Sequence, residues 1–172
     1  MSISLPLNFT TISNRYKRLN TSLYIKIGVF TFIFLVNSQM IKIVPYKNSY
    51  FHLVKELLVD AFSDNFDKDF NKKFDNFSSN FGFVVETNNK VIGYASIHII
   101  DKINRRSCLI EDVVIDKNYR SKGIGRDLID HLINYSKNKK CDKIILNSSE
   151  SNIIFYEKLG FKRNEVQMII RN

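Results

Sequence analysis

Hydrophobic and polar positions follow changing rhythms along this chain, and each rhythm predicts an element. Val54, Leu57, Leu58, Ala61 and Phe62 fall on one face at a helical period. Residues 50–62 therefore predict an amphipathic helix, with Ser49 as its cap and a short strand over 40–45 before it. Phe66, Phe70, Phe74 and Phe77 recur at helical spacing with polar residues between them, the pattern of an aromatic core stripe. Residues 81–86 and 91–100 are strand-like runs joined by the polar turn Thr87, Asn88, Asn89 and Lys90, which predicts an antiparallel hairpin. A second turn over 104–107 leads into a strand at 108–115. The pattern then predicts a helix over 124–138 with Leu128, Ile129, Leu132, Ile133 and Tyr135 inward, a strand over 143–148 and a short helix over 153–159. Phe161 and the alternating Val166, Met168 and Ile170 predict a closing strand. The order β-α-α-β-β-β-α-β-α-β implies an α/β (α+β) fold, one mixed sheet with helices on both faces.

Composition changes this picture little. Hydrophobic residues at 44% and charged residues at 25% suit a folded, soluble domain, and 172 residues suit one such domain with an extension. The net charge of +9 includes Arg15, Lys17, Arg18 and Lys26 in a first forty residues without acidic groups. A basic surplus fits either nucleic acid or phosphorylated small ligands, and the absence of zinc-finger spacing, RNA-binding aromatic motifs or basic runs with interleaved aromatics points away from nucleic acid. Cys108 and Cys141 have neither metal nor redox spacing and read as reduced thiols of a cytoplasmic protein. Ahead of the expected domain, 40–172, lies an extension, 1–39, whose apolar run over 27–36 carries basic residues upstream. Three readings stay open for it: a targeting segment or membrane anchor centred on 22–36, an extension without stable structure, and a packed element.

The most informative stretch for chemistry is 108–133, a strand, a tight turn and a helix. The turn holds Arg120, Ser121, Lys122, Gly123, Ile124 and Gly125. Two glycines allow close backbone approach, consecutive N–H groups at a helix start favour an anion, and Arg120 and Lys122 add positive charge, so this is a candidate pyrophosphate cradle. His52, His98 and His131 are far apart and lack cysteine or carboxylate partners at ligand spacing, so they read as structural or solvated, and no metal site is expected. No Ser-His-Asp order or Cys-His pairing stands out.

Arg120 to Gly125 resembles the acetyl-CoA signature of the GNAT superfamily, in which Arg or Gln precedes Gly by three residues and Gly or Ala by five. Asn152 and Tyr156, within 151–161, fit its second hallmark. Stretches 110–115, 141–146 and 166–171 resemble the glucosamine 6-phosphate N-acetyltransferase branch, and the likeness runs from about residue 41 to the end. It implies a GNAT fold, a homodimer, and transfer of acetyl from acetyl-CoA to the 2-amine of glucosamine 6-phosphate, a step toward UDP-N-acetylglucosamine. It implies that Val113, Val114, Ile115, the turn residues, Asn152, Phe155 and Tyr156 hold acetyl-CoA, and that Tyr156 serves the leaving thiolate. Glu111, Asp112 and Asn147 would flank the reacting amine. Lys102, Arg106, Asp142, Lys143 and Arg171 would line the sugar phosphate, although the connection carrying Lys102, Arg105 and Arg106 is shorter than the branch usually has. Ser121 stands where the branch often has Gly, and Asn147 where it commonly has an acid. An amide orients an amine but takes no proton at neutral pH. The alternatives are a GNAT enzyme for another amine and a non-catalytic CoA-binding module.

Overall fold

The computed structural model describes residues 40–62 and 79–170. The chain divides into two units, Met1–Met40 and Ile41–Asn172, and the account below concerns the second. The apolar run over 27–36, the phenylalanine stripe over 66–77 and Arg171 lie outside the described residues. Among the described residues no helix is long and apolar enough to cross a membrane.

The elements are β1 (Lys42–Pro45), α1 (Phe51–Ala61), β2 (Asn80–Thr87), β3 (Lys90–Asp101), β4 (Arg106–Ile115), α2 (Ile124–Asn138), β5 (Lys143–Leu146) and α3 (Ile153–Glu157). The sheet keeps sequence order, β1-β2-β3-β4-β5. Its pairs are antiparallel except for β4 with β5, which are parallel because α2 carries the chain back along the sheet. Between β2 and β3, Asn88 and Asn89 take φ of 47° and 61°, the left-handed pair that a tight hairpin turn requires and asparagine tolerates. On one face, Ile124, Leu128, Ile129 and Leu132 of α2 pack on Phe83, Ala95, Ile97, Cys108 and Ile110. On the other, Val54 and Leu58 of α1 pack on Tyr46, Val84, Tyr94 and Val114. The expected α/β sheet with helices on both faces is therefore present. Burying a leucine of this kind contributes about 2 kcal/mol by area.

Cys108 is buried, its Sγ 3.2 Å from Ser136 Oγ, which in turn donates to the Leu132 carbonyl at 2.8 Å. Burial pushes the Cys108 thiol up to about 11, so it stays protonated and behaves as a small apolar group.

Three local expectations are corrected. Ser49 does not cap α1; it lies in a 3-10 turn, Asn48–Tyr50, and α1 starts behind Tyr50 without a side-chain cap. Strand β4 begins at Arg106, two residues before the apolar run, because Asp101 and Arg106 already face each other across the turn. The closing strand is absent: 161–170 form none, and Val166, Met168 and Ile170 are 86%, 88% and 93% exposed. Alternation supplies a face for burial, and within the described chain no strand or helix covers it.

Candidate active site in the gap between two parallel strands

Strand β5 pairs with β4 only as far as Ile110 opposite Leu146, while β4 continues for five more residues to Ile115. Among the described residues, Glu111 through Ile115 thus have β3 on one edge and no strand on the other. A β-bulge lies at the same place: Tyr94 pairs with Val114 and Ser96 with Glu111, leaving Asp112 and Val113 opposite Ala95 alone. Asp112 sits at φ 55°, a left-handed conformation that costs a side-chain-bearing residue about 1–2 kcal/mol. Strand β4 is therefore bent and opened where the motifs place Glu111 and Asp112.

Across the opening, Asn147 follows the last residue of β5, and its Nδ2 donates to Glu111 Oε1 at 3.4 Å, a long bond at an exposed position. Burial of the surrounding surface pushes the carboxyls of both Glu111 and Asp112 up from their ordinary range. Asp112 adds to the rise at Glu111, while His98 opposes it at both residues. Tyr156 lies on α3, its ring 5.0 Å from Phe155 and 5.9 Å from Phe161 in edge-to-face contacts. Burial raises its phenol above its ordinary value, so it keeps its proton at neutral pH and can donate it.

A cavity of about 760 Å³ extends from here along β5, with Leu109, Ile145, Asn147 and Tyr156 in its wall and Lys143 and Glu165 farther along. Lys143 Nζ is 3.9 Å from a Glu165 carboxylate oxygen, a loose and exposed pair. Arg106 is otherwise engaged: its guanidinium binds the Asp101 carboxylate and donates to the Lys139 carbonyl at 3.0 Å. It opens β4 five residues before Glu111, a separation of about 17 Å along a strand. Asp142 is exposed, and its N–H bonds the Arg106 carbonyl. Lys102 closes the same turn, its N–H bonded to the Arg105 carbonyl at 2.9 Å. The structure thus gathers Glu111, Asp112, Asn147 and Tyr156 around the gap, with Lys143 in the adjoining cavity, and leaves Lys102 and Arg106 at the far end of the sheet.

At the other end of the gap the turn from β4 to α2 has the form of an anion cradle. Gly123 is the cap of α2 at φ 83°, no side chain caps the helix, and a Cβ built there would meet nothing within 4 Å. The start of this fifteen-residue helix thus has no side-chain cap and open space beside Gly123, a setting that fits a pyrophosphate. Ser121, at φ 60°, holds a conformation glycine adopts freely, which explains why glycine suits that position. Arg120 Nε donates to the Ile115 carbonyl at 2.9 Å and ties the cradle to the end of β4. Lys122 Nζ donates to the Asn118 carbonyl at 3.1 Å and lies over the Tyr119 ring. Phe155 reaches across from α3, its ring 3.6 Å from where a Cβ of Gly125 would stand. Asn152 is exposed at the start of α3.

The motifs did not single out Asn80, Ser96 and His98, which form a hydrogen-bonded line ending on the Glu111 carbonyl. The available signal was polar alternation: Ser96 and His98 fall on the same side of β3, in a strand otherwise rich in apolar residues. The other two histidines keep their structural reading. His131 packs on the Phe83 ring at 4.8 Å, and His52 is exposed beside Phe51. Among the described residues no group of three or more His, Cys, Asp or Glu side chains is arranged to hold a metal.

Residues 51–161 match the acetyltransferase (GNAT) family. A curated relative, the glucosamine 6-phosphate N-acetyltransferase of Trypanosoma brucei brucei, is 44% identical over 89 residues, covering 50% of this chain and 60% of its own length. The chain thus spans less than two thirds of the length of this and other curated relatives it matches. A solved Trypanosoma brucei acetyltransferase superposes with a TM-score of 0.68 at 30% identity, covering 77% of this chain and 100% of the other. The Arabidopsis thaliana glucosamine-6-phosphate N-acetyltransferase gives 0.67 at 28%, covering 77% and 99%. With the family's matched region enclosing both the open strand and the cradle, the chain belongs to the acetyltransferase (GNAT) family.

Proposed function

We propose that this protein transfers acetyl from acetyl-CoA to the 2-amine of glucosamine 6-phosphate, giving N-acetylglucosamine 6-phosphate and CoA, a product that feeds amino-sugar nucleotide synthesis. The observation that carries the reading is the gap beside Glu111–Ile115. Its ends hold a phosphate cradle and a proton-donating tyrosine, in a chain similar to enzymes of that name. Acetyl-CoA supplies the acetyl group as a thioester. The cradle from Arg120 to Gly125 binds its pyrophosphate. The backbone of Val113, Val114 and Ile115, without a β5 partner, lies along its acyl arm and polarises the carbonyl, and Asn152 and Phe155 line the α3 side.

The amine nitrogen attacks the thioester carbon, the C–S bond breaks, and the proton lost by nitrogen leaves toward solvent past Glu111 and Asp112. Asn147 orients the amine. Tyr156 gives its phenolic proton to the departing sulfur and recovers one from solvent. An amine of this kind is already partly neutral at pH 7, so holding it in place does most of the work and no strong base is required. Lys143, with Arg171, takes the sugar phosphate; Lys102, Arg106 and Asp142 line that subsite only if a second subunit brings them there.

The same reading makes the active form a homodimer. An exposed alternating run, 166–170, and β5 as a sheet edge are two surfaces that a second copy can cover. Residues 40–172 are read as the acetyltransferase domain and every motif lies within them, so a variant lacking 1–39 is expected to keep its activity. Membrane contact, if present, would come through 22–36. The deciding experiment compares glucosamine 6-phosphate with glucosamine and with a polyamine, each with acetyl-CoA. We expect kcat/KM at least a hundredfold higher for the phosphosugar; equal values would overturn the substrate assignment.

A further inference from the structure

Lys143 opens β5 and Asn147 follows its last residue, about 13 Å farther along the strand direction. Both line the cavity of about 760 Å³, so a ligand whose amine meets Asn147 can lay its phosphate toward Lys143. Among the described residues the cavity wall carries no surplus of positive charge, since Lys143, Lys162 and Arg163 stand against Glu150, Glu157 and Glu165. Attraction for a phosphate therefore depends on whether an ammonium is free to turn to it.

The pairings in that wall are unequal. Arg163 is shared between two carboxylates, with Nη2 3.4 Å from Glu150 and Nε 3.8 Å from Glu157. Lys143 has Glu165 at 3.9 Å, the longest of the three contacts. Arg163 and Glu165 both belong to the segment 161–170, which forms neither strand nor helix. Its start is fixed, because the Phe161 N–H bonds the Tyr156 carbonyl at 3.2 Å and the two rings meet edge to face. Four residues on, the Glu165 side chain is 80% exposed, so it can leave Lys143 for water without uncovering buried surface. A carboxylate brings one charge to Lys143, whereas a phosphate monoester brings about −1.5 to −2 and three acceptor oxygens.

Resting on the acetyltransferase reading above, we propose that Glu165 is an internal competitor for the phosphate subsite: its carboxylate occupies Lys143 in the empty enzyme and swings into solvent when a phosphosugar arrives. Apparent affinity for the phosphosugar is then reduced by the fraction of molecules in which Lys143 is free. Acetyl transfer leaves the 6-phosphate unchanged, so its contacts contribute equally to substrate, transition state and product. Glu165 weakens all three alike, which raises KM and loosens the product without slowing the chemistry. It touches neither the amine nor the thioester, and sets affinity through Lys143.

The test is a double-mutant cycle on the full chain, Glu165→Gln with and without Lys143→Gln, with glucosamine 6-phosphate and glucosamine as amines. Glu165→Gln alone is expected to lower KM for glucosamine 6-phosphate about threefold, the scale of an exposed ion pair. Calorimetry should show N-acetylglucosamine 6-phosphate binding tighter by the same factor. The kcat is expected to stay within about twofold of wild type, and KM for glucosamine to be unchanged, because that sugar makes no call on Lys143. In the Lys143→Gln background, Glu165→Gln is expected to change neither KM nor product affinity. That arm separates competition from plain repulsion, since a carboxylate near the subsite would repel phosphate whether or not the lysine is present. An unchanged or higher KM in Glu165→Gln overturns the proposal, as does an equal fall with glucosamine or in the Lys143→Gln background. A wild type that acetylates the two sugars equally well, or neither of them, defeats the substrate reading itself, and the proposal with it.

Discussion

The two ends of the gap are built by opposite means. The cradle is contiguous: Arg120 through Gly125 lie next to one another in sequence, and one turn and one helix start suffice to form it. The acceptor side draws Asn80 from β2, Ser96 and His98 from β3, Glu111 and Asp112 from β4 and Asn147 from beyond β5. Its geometry depends on strand register, on a bulge and on where a parallel pair stops. A local site tolerates little change at its few residues, whereas a dispersed one spreads the loss over many weak contacts, such as the 3.4 Å bond from Asn147 to Glu111.

That contrast breaks most cleanly at Gly123. Aspartate there meets no steric obstacle but brings a negative charge to the anion site and a side chain to φ 83°. The backbone strain is about 1–2 kcal/mol, small enough for the domain to fold. Gly123→Asp is expected to weaken acetyl-CoA at least a hundredfold by calorimetry, with a melting temperature within several degrees of wild type. Unchanged affinity in the folded variant would remove the cradle from acetyl-CoA binding.

Tyr156 stands at the end opposite the cradle, and its loss should divide chemistry from binding. Tyr156→Phe keeps the ring contacts with Phe155 and Phe161 and deletes only the proton donor. The expected result is kcat down about a hundredfold, the low end of the range for general acid catalysis, and acetyl-CoA affinity within twofold. Because burial raises the phenol, the wild type should show no loss attributable to Tyr156 until pH climbs above the ordinary tyrosine value near 10. A basic limb near pH 8 that disappears in Tyr156→Phe would contradict this.

The same contrast explains what the residues alone revealed. The helix of 124–138 and the hairpin through Asn88 and Asn89 were legible because periodicity and turn chemistry are local, as was the cradle. The bulge was not, since no residue type marks Asp112 for a left-handed conformation and the register shift depends on β3. The hydrogen-bonded line from Asn80 through His98 to Ser96 was illegible for the same reason: Asn80 meets His98 only through strand pairing. Residues 166–170 show the converse error. Their alternation correctly marks a face to be covered, but a pattern does not say what covers it.

The smallest effects are expected at Asn147, where the comparison can be sharpened. Asn147→Ala removes the bond to Glu111 and should lower kcat about tenfold through loss of orientation, with acetyl-CoA affinity unchanged. Asn147→Asp has almost the same shape but sets a second carboxyl about where the amide meets Glu111, whose own carboxyl burial already raises. Like charges at that distance disfavour joint ionisation, so one member of the pair keeps its proton to higher pH. An acid held above its ordinary value binds its proton more tightly in the folded state, so folding is weakened as pH rises through the raised value and is restored in acid. Asn147→Asp should therefore melt below the wild type at pH 7, with the difference narrowing toward pH 4. Its kcat is expected to stay within tenfold of wild type, because orientation and not base strength limits the step. A gain well beyond tenfold, with a new acid limb in the pH–rate profile, would show instead that transfer was waiting for a base and that Asn147 does more than orient the amine.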